Sequence, residues 1–312
     1  MAPLAPPHAH AATHTVCPRG CAFTSIQAAI DAAQTGDMIT ITPGTYRENL
    51  AIPGTGTATH LRLQAGLGVG LRPALPSVSG LPSLPMLPGL PATSLPGSVI
   101  VDGSAGATRV LFVSPGTTVT LEGLTLRNGH SQAGAGIHNM GTLRLLHVAV
   151  TDNRAIGAGS GIVNDVGAIL EATNSEVSRN VVETGSGGGI LNFGTMTLTN
   201  VVVRDNVAVT ARFGGGGINQ GNSETDTDPP QFFATATLTN TILTGNRAER
   251  GGGLYLRPGT TTTIRTTVVS QNTATTTPGG GGIFAEAGAT VNRSATLVAG
   301  NRPNNCAGAV RC

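Results

Sequence analysis

The side chains of this 312-residue chain best placed for chemistry stand immediately ahead of a recurring asparagine. Arg127, Asp152, Arg179, Asp205, Gly245 and Gln271 precede Asn128, Asn153, Asn180, Asn206, Asn246 and Asn272, and the series closes at Asn301. The first four alternate in charge. If successive units lie one above another at a strand spacing of about 4.8 Å, they form either an ion-pair ladder that keeps its carboxylates ionised or a site built from acids. In the second case Asp152 and Asp205 stand two turns, about 9.6 Å, apart. That is near the upper end of the range for inverting glycosidases, about 6.5–9.5 Å. Glu176, four residues before Asn180, points outward beside them. Arg179 is the basic member of the group, although a guanidinium that stays protonated to about pH 12 is a poor general base.

A second series follows each Gly-Ile or Gly-Leu pair: His138, Val163, Leu191, Asn219, Tyr255 and Phe284. It reads as a semi-apolar outward stripe able to contact a partner or a glycan, with Tyr255 and Phe284 offering ring faces to sugars and His138 a polar end. His130, His138 and His147 share one repeat but occupy different places in it, so no metal site is expected, and His8, His10 and His14 fall in a Pro- and Ala-rich leader. The pairs Thr197/Thr199 and Thr237/Thr239 raise the idea of an ice-ordering threonine face. Arg144, Glu171, Arg265 and Asn292 interrupt the same columns, so a flat lattice is not expected.

These columns exist only if the chain repeats, and it does. The asparagines recur at intervals of 25, 27, 26, 40, 26 and 29 residues, the long interval containing an Asp-, Thr- and Pro-rich insertion at 222–234. Within each unit, alternation such as Thr197-Leu198-Thr199 leads into β-branched runs such as Val201 to Val203, a strand signal bounded by Gly and Asn. Two or three strands in 26 residues leave no room for a helix between them, so parallel neighbours require the chain to coil. The expected fold is all-β: a single-stranded right-handed parallel β-helix of nine to eleven turns, with one continuous core. Gly and Asn are expected at corners with positive φ. The asparagines at 128, 153, 180, 206, 246 and 272 are expected to stack their amides into a structural ladder.

Composition narrows the function. Lysine is absent, all 18 basic residues being Arg, which excludes a P-loop lysine and Schiff-base chemistry. A formal charge of +2, no Trp and two Tyr argue against a nucleic-acid partner. No apolar run approaches the length of about 20 residues needed to span a bilayer. Cys17 and Cys21, then Cys306 and Cys312, suggest two local disulfides and an oxidising compartment, hence a secreted protein. Residues 1–16 read as a flexible tail and 17–312 as the β-helix. Within it, 17–50 form a cap and first turn, with Ile26, Ala29, Ile30 and Ala33 on one helical face. A Pro-rich loop is inserted at 72–97, and 300–312 form the C-terminal cap.

The stretch FTSIQAAIDAAQTGDMITITPGTYRENL resembles the N-terminal signature of pectate-lyase-like right-handed β-helices. The units GAGIHNMGTLRLLHVAVTDN and GGGILNFGTMTLTNVVVRDN and the closing TLVAGNRPNNC resemble bacterial secreted β-helix repeats of the polymorphic outer-membrane and CSLREA types. The CSLREA signature itself is missing; Cys21-Ala22-Phe23-Thr24-Ser25-Ile26 stands in that region. The resemblance implies the fold. For function it implies either a structural and binding protein of the cell surface or a polysaccharide-active enzyme, since both occur on this scaffold. Lyases of the family use a basic residue, often with calcium on acidic side chains, and its hydrolases use Asp residues with an Arg-x-Lys element that a lysine-free chain lacks. The leading expectation is therefore a secreted or cell-surface protein that binds a polysaccharide or surface partner without a cofactor. The alternative is a lyase or glycoside hydrolase using Asp152, Glu176, Arg179 and Asp205, with calcium only in the lyase case.

Overall fold

A computed structural model describes residues 11–54, 60–66, 99–210, 214–221 and 234–312. Through them the chain winds as a single-stranded right-handed parallel β-helix of about nine turns. One turn illustrates the path. Thr142–Leu146 lies in a first sheet, Ala149–Thr151 in a second, Arg154–Ala158 in a narrow sheet and Ile162–Asn164 in a third. Ile169–Thr173 then returns to the first sheet and pairs in parallel with Thr142–Leu146, one turn below. Among the described residues the first sheet has ten strands, the second and third nine each, and the narrow sheet six.

The short strands alternate as their sequences require. Leu143, Leu145, Val150 and Ile162 point inward and are 0–1% exposed, and their equivalents in other turns extend the same apolar column through the molecule. Facing side chains of the first sheet stack in register from turn to turn, as in Leu145, Ala172, Leu198, Leu238 and Ile264. Each turn therefore buries its core against its neighbours.

The corner between the second and narrow sheets divides its work between two residues. The first takes positive φ, as at Asp152, Arg179, Asp205 and Gln271, with φ of 54–57°. The second is the buried asparagine. Asn153 donates from its backbone N and from Nδ2 to Asn180 Oδ1 at 3.1 and 2.9 Å, and the same double bond links Asn180 to Asn206, Asn206 to Asn246, Asn246 to Asn272 and Asn272 to Asn301. The ladder expected at 153, 180, 206, 246 and 272 is present and continues to Asn301, but Asn128 does not belong to it. Its turn is shorter, so Asn128 occupies the positive-φ place (φ 59°) and gives its Nδ2 proton to Asp102, while Gly129 N takes the ladder bond to Asn153. The same slip moves Arg127 out of the Asp152 column: it pairs in register with Thr151 and forms its ion pair with Asp102.

Two further amide ladders went unrecognised in the sequence. Asn139, Asn164, Asn192 and Gln220 hydrogen-bond in series inside the third sheet, and Asn174, Asn200 and Asn240 do so at the corner between the first and second sheets.

At the N-terminal end the helix Ile26–Ala32 buries Ile26, Ala29 and Ile30 over the open core, as its apolar face requires. Ser25 caps it by accepting from Ala28 N, and Glu48 accepts from Ile26 N and Gln27 N, placing a carboxylate where the helix dipole favours one. Residues 13–16, expected in the flexible tail, are ordered. Thr13–Val16 forms a strand that extends the first sheet beside Met38–Ile41, because its alternation seats Val16 in the core. Cys17–Cys21 and Cys306–Cys312 are bonded, each pair with Cα atoms 5.7 Å apart. The insertion at 72–97, residues 222–233 of the second insertion, and His8 and His10 lie outside the described residues.

Candidate functional site

The second sheet and its asparagine corner gather the acidic candidates. Glu176–Ser178 and Val202–Arg204 are adjacent strands of this sheet, and Asp152, Arg179 and Asp205 follow one another at the corner. Arg179 forks onto Asp152, Nε to Oδ1 at 2.8 Å and Nη2 to Oδ2 at 2.9 Å, with Nη2 also reaching Thr151 Oγ1 at 2.8 Å. Arg204 holds the other two acids, Nη2 to Glu176 Oε1 at 2.7 Å and Nη1 to Asp205 Oδ2 at 2.8 Å. Glu176 is only 5% exposed, whereas Asp152, Arg179 and Asp205 face solvent. The structure thus brings all four enzyme-alternative residues side by side, in two ion-paired groups coupled through their charges, and adds Arg204, which sequence reasoning missed. Its signal was the register: two residues beyond Val202, it reaches back to the turn below.

Electrostatics define what this strip can do. Partial burial pushes the Asp152 carboxyl up, but hydrogen bonds from Arg179 and Thr151 and the charges of Arg179 and Arg127 outweigh it and hold the group below its usual range. Arg179 is displaced the other way: its hydrogen bonds to Asp152 raise it, burial opposes, and the charges of Asp152, Glu176 and Asp205 add to the rise. Such a guanidinium cannot serve as the proton acceptor of a lyase. Nor do the acids fit calcium. Each is tied to an arginine, and among the described residues no three His, Cys, Asp or Glu side chains converge as a metal site.

The outward stripe on the third sheet has the expected register, Phe112, His138, Val163, Leu191, Asn219, Tyr255 and Phe284 lying one above another. Most of it is covered. Glycine corners fold back over it, with the Cβ positions of Gly159, Gly187, Gly215 and Gly251 falling within 3 Å of side chains at 163, 191, 219 and 255. Tyr255 is fully buried, stacked on Phe284 at 5.4 Å between ring centres, and donates its hydroxyl proton to Glu286. It therefore presents no face to a sugar, contrary to the sequence expectation. Phe284 is half-buried, with the Arg250 guanidinium 5.6 Å from its ring centre.

His138 sits at the other end of the stripe, four turns from Tyr255, so the three expected binding residues do not meet. Arg109 Nη1 donates to its Nδ1 at 2.9 Å, which leaves the Nε2 proton for Asp165 at 3.0 Å. The bond from His138 lowers the Asp165 carboxyl against the opposing effect of burial. Both ring nitrogens are engaged, so His138 has no free nitrogen to act as a base. His130 begins a narrow-sheet strand and His147 occupies a positive-φ corner, apart from His138 as expected. His14 pairs with Asp37 at 2.9 Å beside a cavity of about 250 Å³ at the cap, remote from the charged strip.

No model of a known protein family matches the sequence, and no curated protein does. Solved structures do match. The pectin methylesterase from Aspergillus niger superposes with a TM-score of 0.52 at 14% identity, over 90% of this chain and 85% of that one. The pectin methylesterase from carrot gives 0.48 at 12% identity, over 95% and 85%, and the pectate lyase Pel9A gives 0.45 at 13%, over 91% and 78%. At these identities the likeness is one of fold: the chain is a right-handed parallel β-helix of the pectin lyase-like kind.

Proposed function

We propose that the protein is an extracellular polysaccharide-binding β-helix whose contact surface is the charged strip of the second sheet. The observation that supports this most is the pairing of every acid there with an arginine: Asp152 with Arg179, and Glu176 and Asp205 with Arg204. Such a strip offers fixed donors and acceptors to a polyol, repeated at about 4.8 Å per turn, while the Asp152 carboxyl is lowered, away from the range suited to proton donation. Two local disulfides support an oxidising compartment, and the fold is that of proteins named for pectin.

The test is a panel of uronate polymers, with and without calcium, assayed for binding by affinity electrophoresis and for unsaturated products, new reducing ends or released methanol. Retardation without products is expected, and the Arg179→Ala variant should lose it. Turnover that Asp205→Asn abolishes would replace this reading with an enzyme. One observation favours that second reading, a polysaccharide-active enzyme: Asp152 is exposed and held ionised, the state a carboxylate nucleophile requires.

A further inference from the structure

The first sheet carries a threonine array larger than its sequence suggests. Three successive strands, Thr195–Thr199, Thr235–Thr239 and Thr261–Arg265, pair in register at all five positions without a bulge. Their outward residues form three columns: Thr195, Thr235 and Thr261; Thr197, Thr237 and Thr263; Thr199, Thr239 and Arg265. Eight of nine places are threonine. The sequence expectation of an interrupted face is right at the margins, where Glu171 and Asn292 flank the middle column. It overlooked the outer column and Thr263.

The array is rigid and chemically uniform. Met196, Leu198, Ala236, Leu238, Thr262 and Ile264 anchor its strands from beneath, each at most 3% exposed, and β-branching limits threonine χ1. Among the described residues the one side-chain hydrogen bond within it runs from Thr235 to Thr195 at 3.4 Å, so the other hydroxyls remain available to water. Strand separation sets one repeat at about 4.8 Å, and alternate residues along a strand set the other at about 6.7 Å. Hexagonal ice presents its surface oxygens on a rectangular grid of closely similar spacing. Methyls that hold water in cages between hydroxyls that anchor it would order a layer able to merge with that lattice.

We propose that this threonine array binds the surface of growing ice. A protein partner fits the patch less well. An ordinary interface takes about 800 Å² from each side, whereas the array measures only about 10 by 13 Å and is bounded by the charges of Glu171 and Arg265. The site lies on a different sheet from the acidic strip and does not depend on the polysaccharide reading.

The test uses the full-length protein in ice-recrystallisation and ice-affinity partition assays, with an equimolar inert protein as control. The wild type should slow crystal coarsening and enrich in the ice fraction. Thr237→Tyr, at the centre of the array, should lose both effects with an unchanged thermal midpoint. Thr120→Tyr, in the same column but remote from the array, should keep them. A wild type that behaves like the control overturns the proposal, as does a folded Thr237→Tyr protein that is fully active. If Thr237→Tyr lowers the midpoint, Thr197→Lys supplies the same comparison.

Discussion

Arg179 reaches down one turn to close a two-bonded fork on Asp152, and both residues occupy the positive-φ corner beside the buried asparagine ladder. Column position, not sequence proximity, makes them partners: they are 27 residues apart. The fork favours the ionised form of Asp152. An ion-paired, ionised acid can accept hydrogen bonds from a ligand but cannot donate a proton to one.

The first prediction follows from the lowered Asp152 carboxyl. A folded-state pKa below the unfolded value contributes stability above the unfolded value and loses it as pH falls through the folded one. Asp152→Asn should therefore be less stable than the wild type at pH 7, with the difference shrinking as pH falls below the ordinary carboxylate value of about 3.9 and through the lower folded one. Because both partners are largely exposed, the loss at pH 7 should be only about 0.5–1 kcal/mol. Urea melts at several pH values measure it, and an equal deficit at pH 7 and pH 2.5 would contradict the assigned ion pair.

The asparagine ladder should be far more sensitive than the charged strip. Asn206 is fully buried, accepts two bonds from Asn180 and donates to Val177 O and Asn246 Oδ1. Asn206→Ala leaves several buried groups unpaired and should cost about 3–5 kcal/mol. Asn128→Gly should be nearly neutral, since it relieves positive φ while losing one bond to Asp102. Chemical denaturation of the two variants distinguishes a ladder residue from a corner residue of the same type.

The repeat was legible because a solenoid writes its geometry along the chain. Gly-Ile pairs, the asparagine period and the helical face of Ile26, Ala29 and Ile30 all return at the expected places. The errors were of register and cover. The spacing from 128 to 153 is the shortest in the series, and reading Asn128 by type placed it one residue out of step and carried Arg127 with it. The alternation places Tyr255 outward, as the structure does, but whether an outward residue meets water depends on how the next corner folds, and the glycines that cover it carry no side chain to announce themselves. Arg204 and Asp165 were missed because Glu176 and His138, which they hold across a turn, lie 28 and 27 residues away, although Arg204 also pairs with its neighbour Asp205.

Burial and the Glu286 carboxylate push the Tyr255 phenol well above its ordinary value. A raised folded-state pKa contributes stability that is complete below the unfolded value, near pH 10, and is lost as pH rises through the folded one. The wild-type absorbance titration minus that of Tyr255→Phe isolates this phenol. It should show no ionisation near pH 10 and an abrupt rise on alkaline unfolding. A reversible, independent titration near pH 10 would mean that the ring is open to solvent.

The last prediction concerns a glycine whose corner abuts the base of that side chain. Gly251 has φ of 56°, and a Cβ there would stand 2.5 Å from Leu254 O and 2.8 Å from the Tyr255 Cβ. Alanine at this place meets left-handed backbone, costing about 1–2 kcal/mol, and a contact with backbone that cannot rotate away. Gly251→Ala should therefore lower stability by about 3 kcal/mol or more and, by lifting the corner, increase quenching of tyrosine fluorescence by acrylamide. Gly36→Ala provides the comparison: φ is 94°, but nothing lies within 4 Å of the added methyl. It should show the backbone cost alone, with quenching unchanged. Equal effects at the two positions would mean that Gly251 is a corner residue only and that Tyr255 is sealed by some other contact.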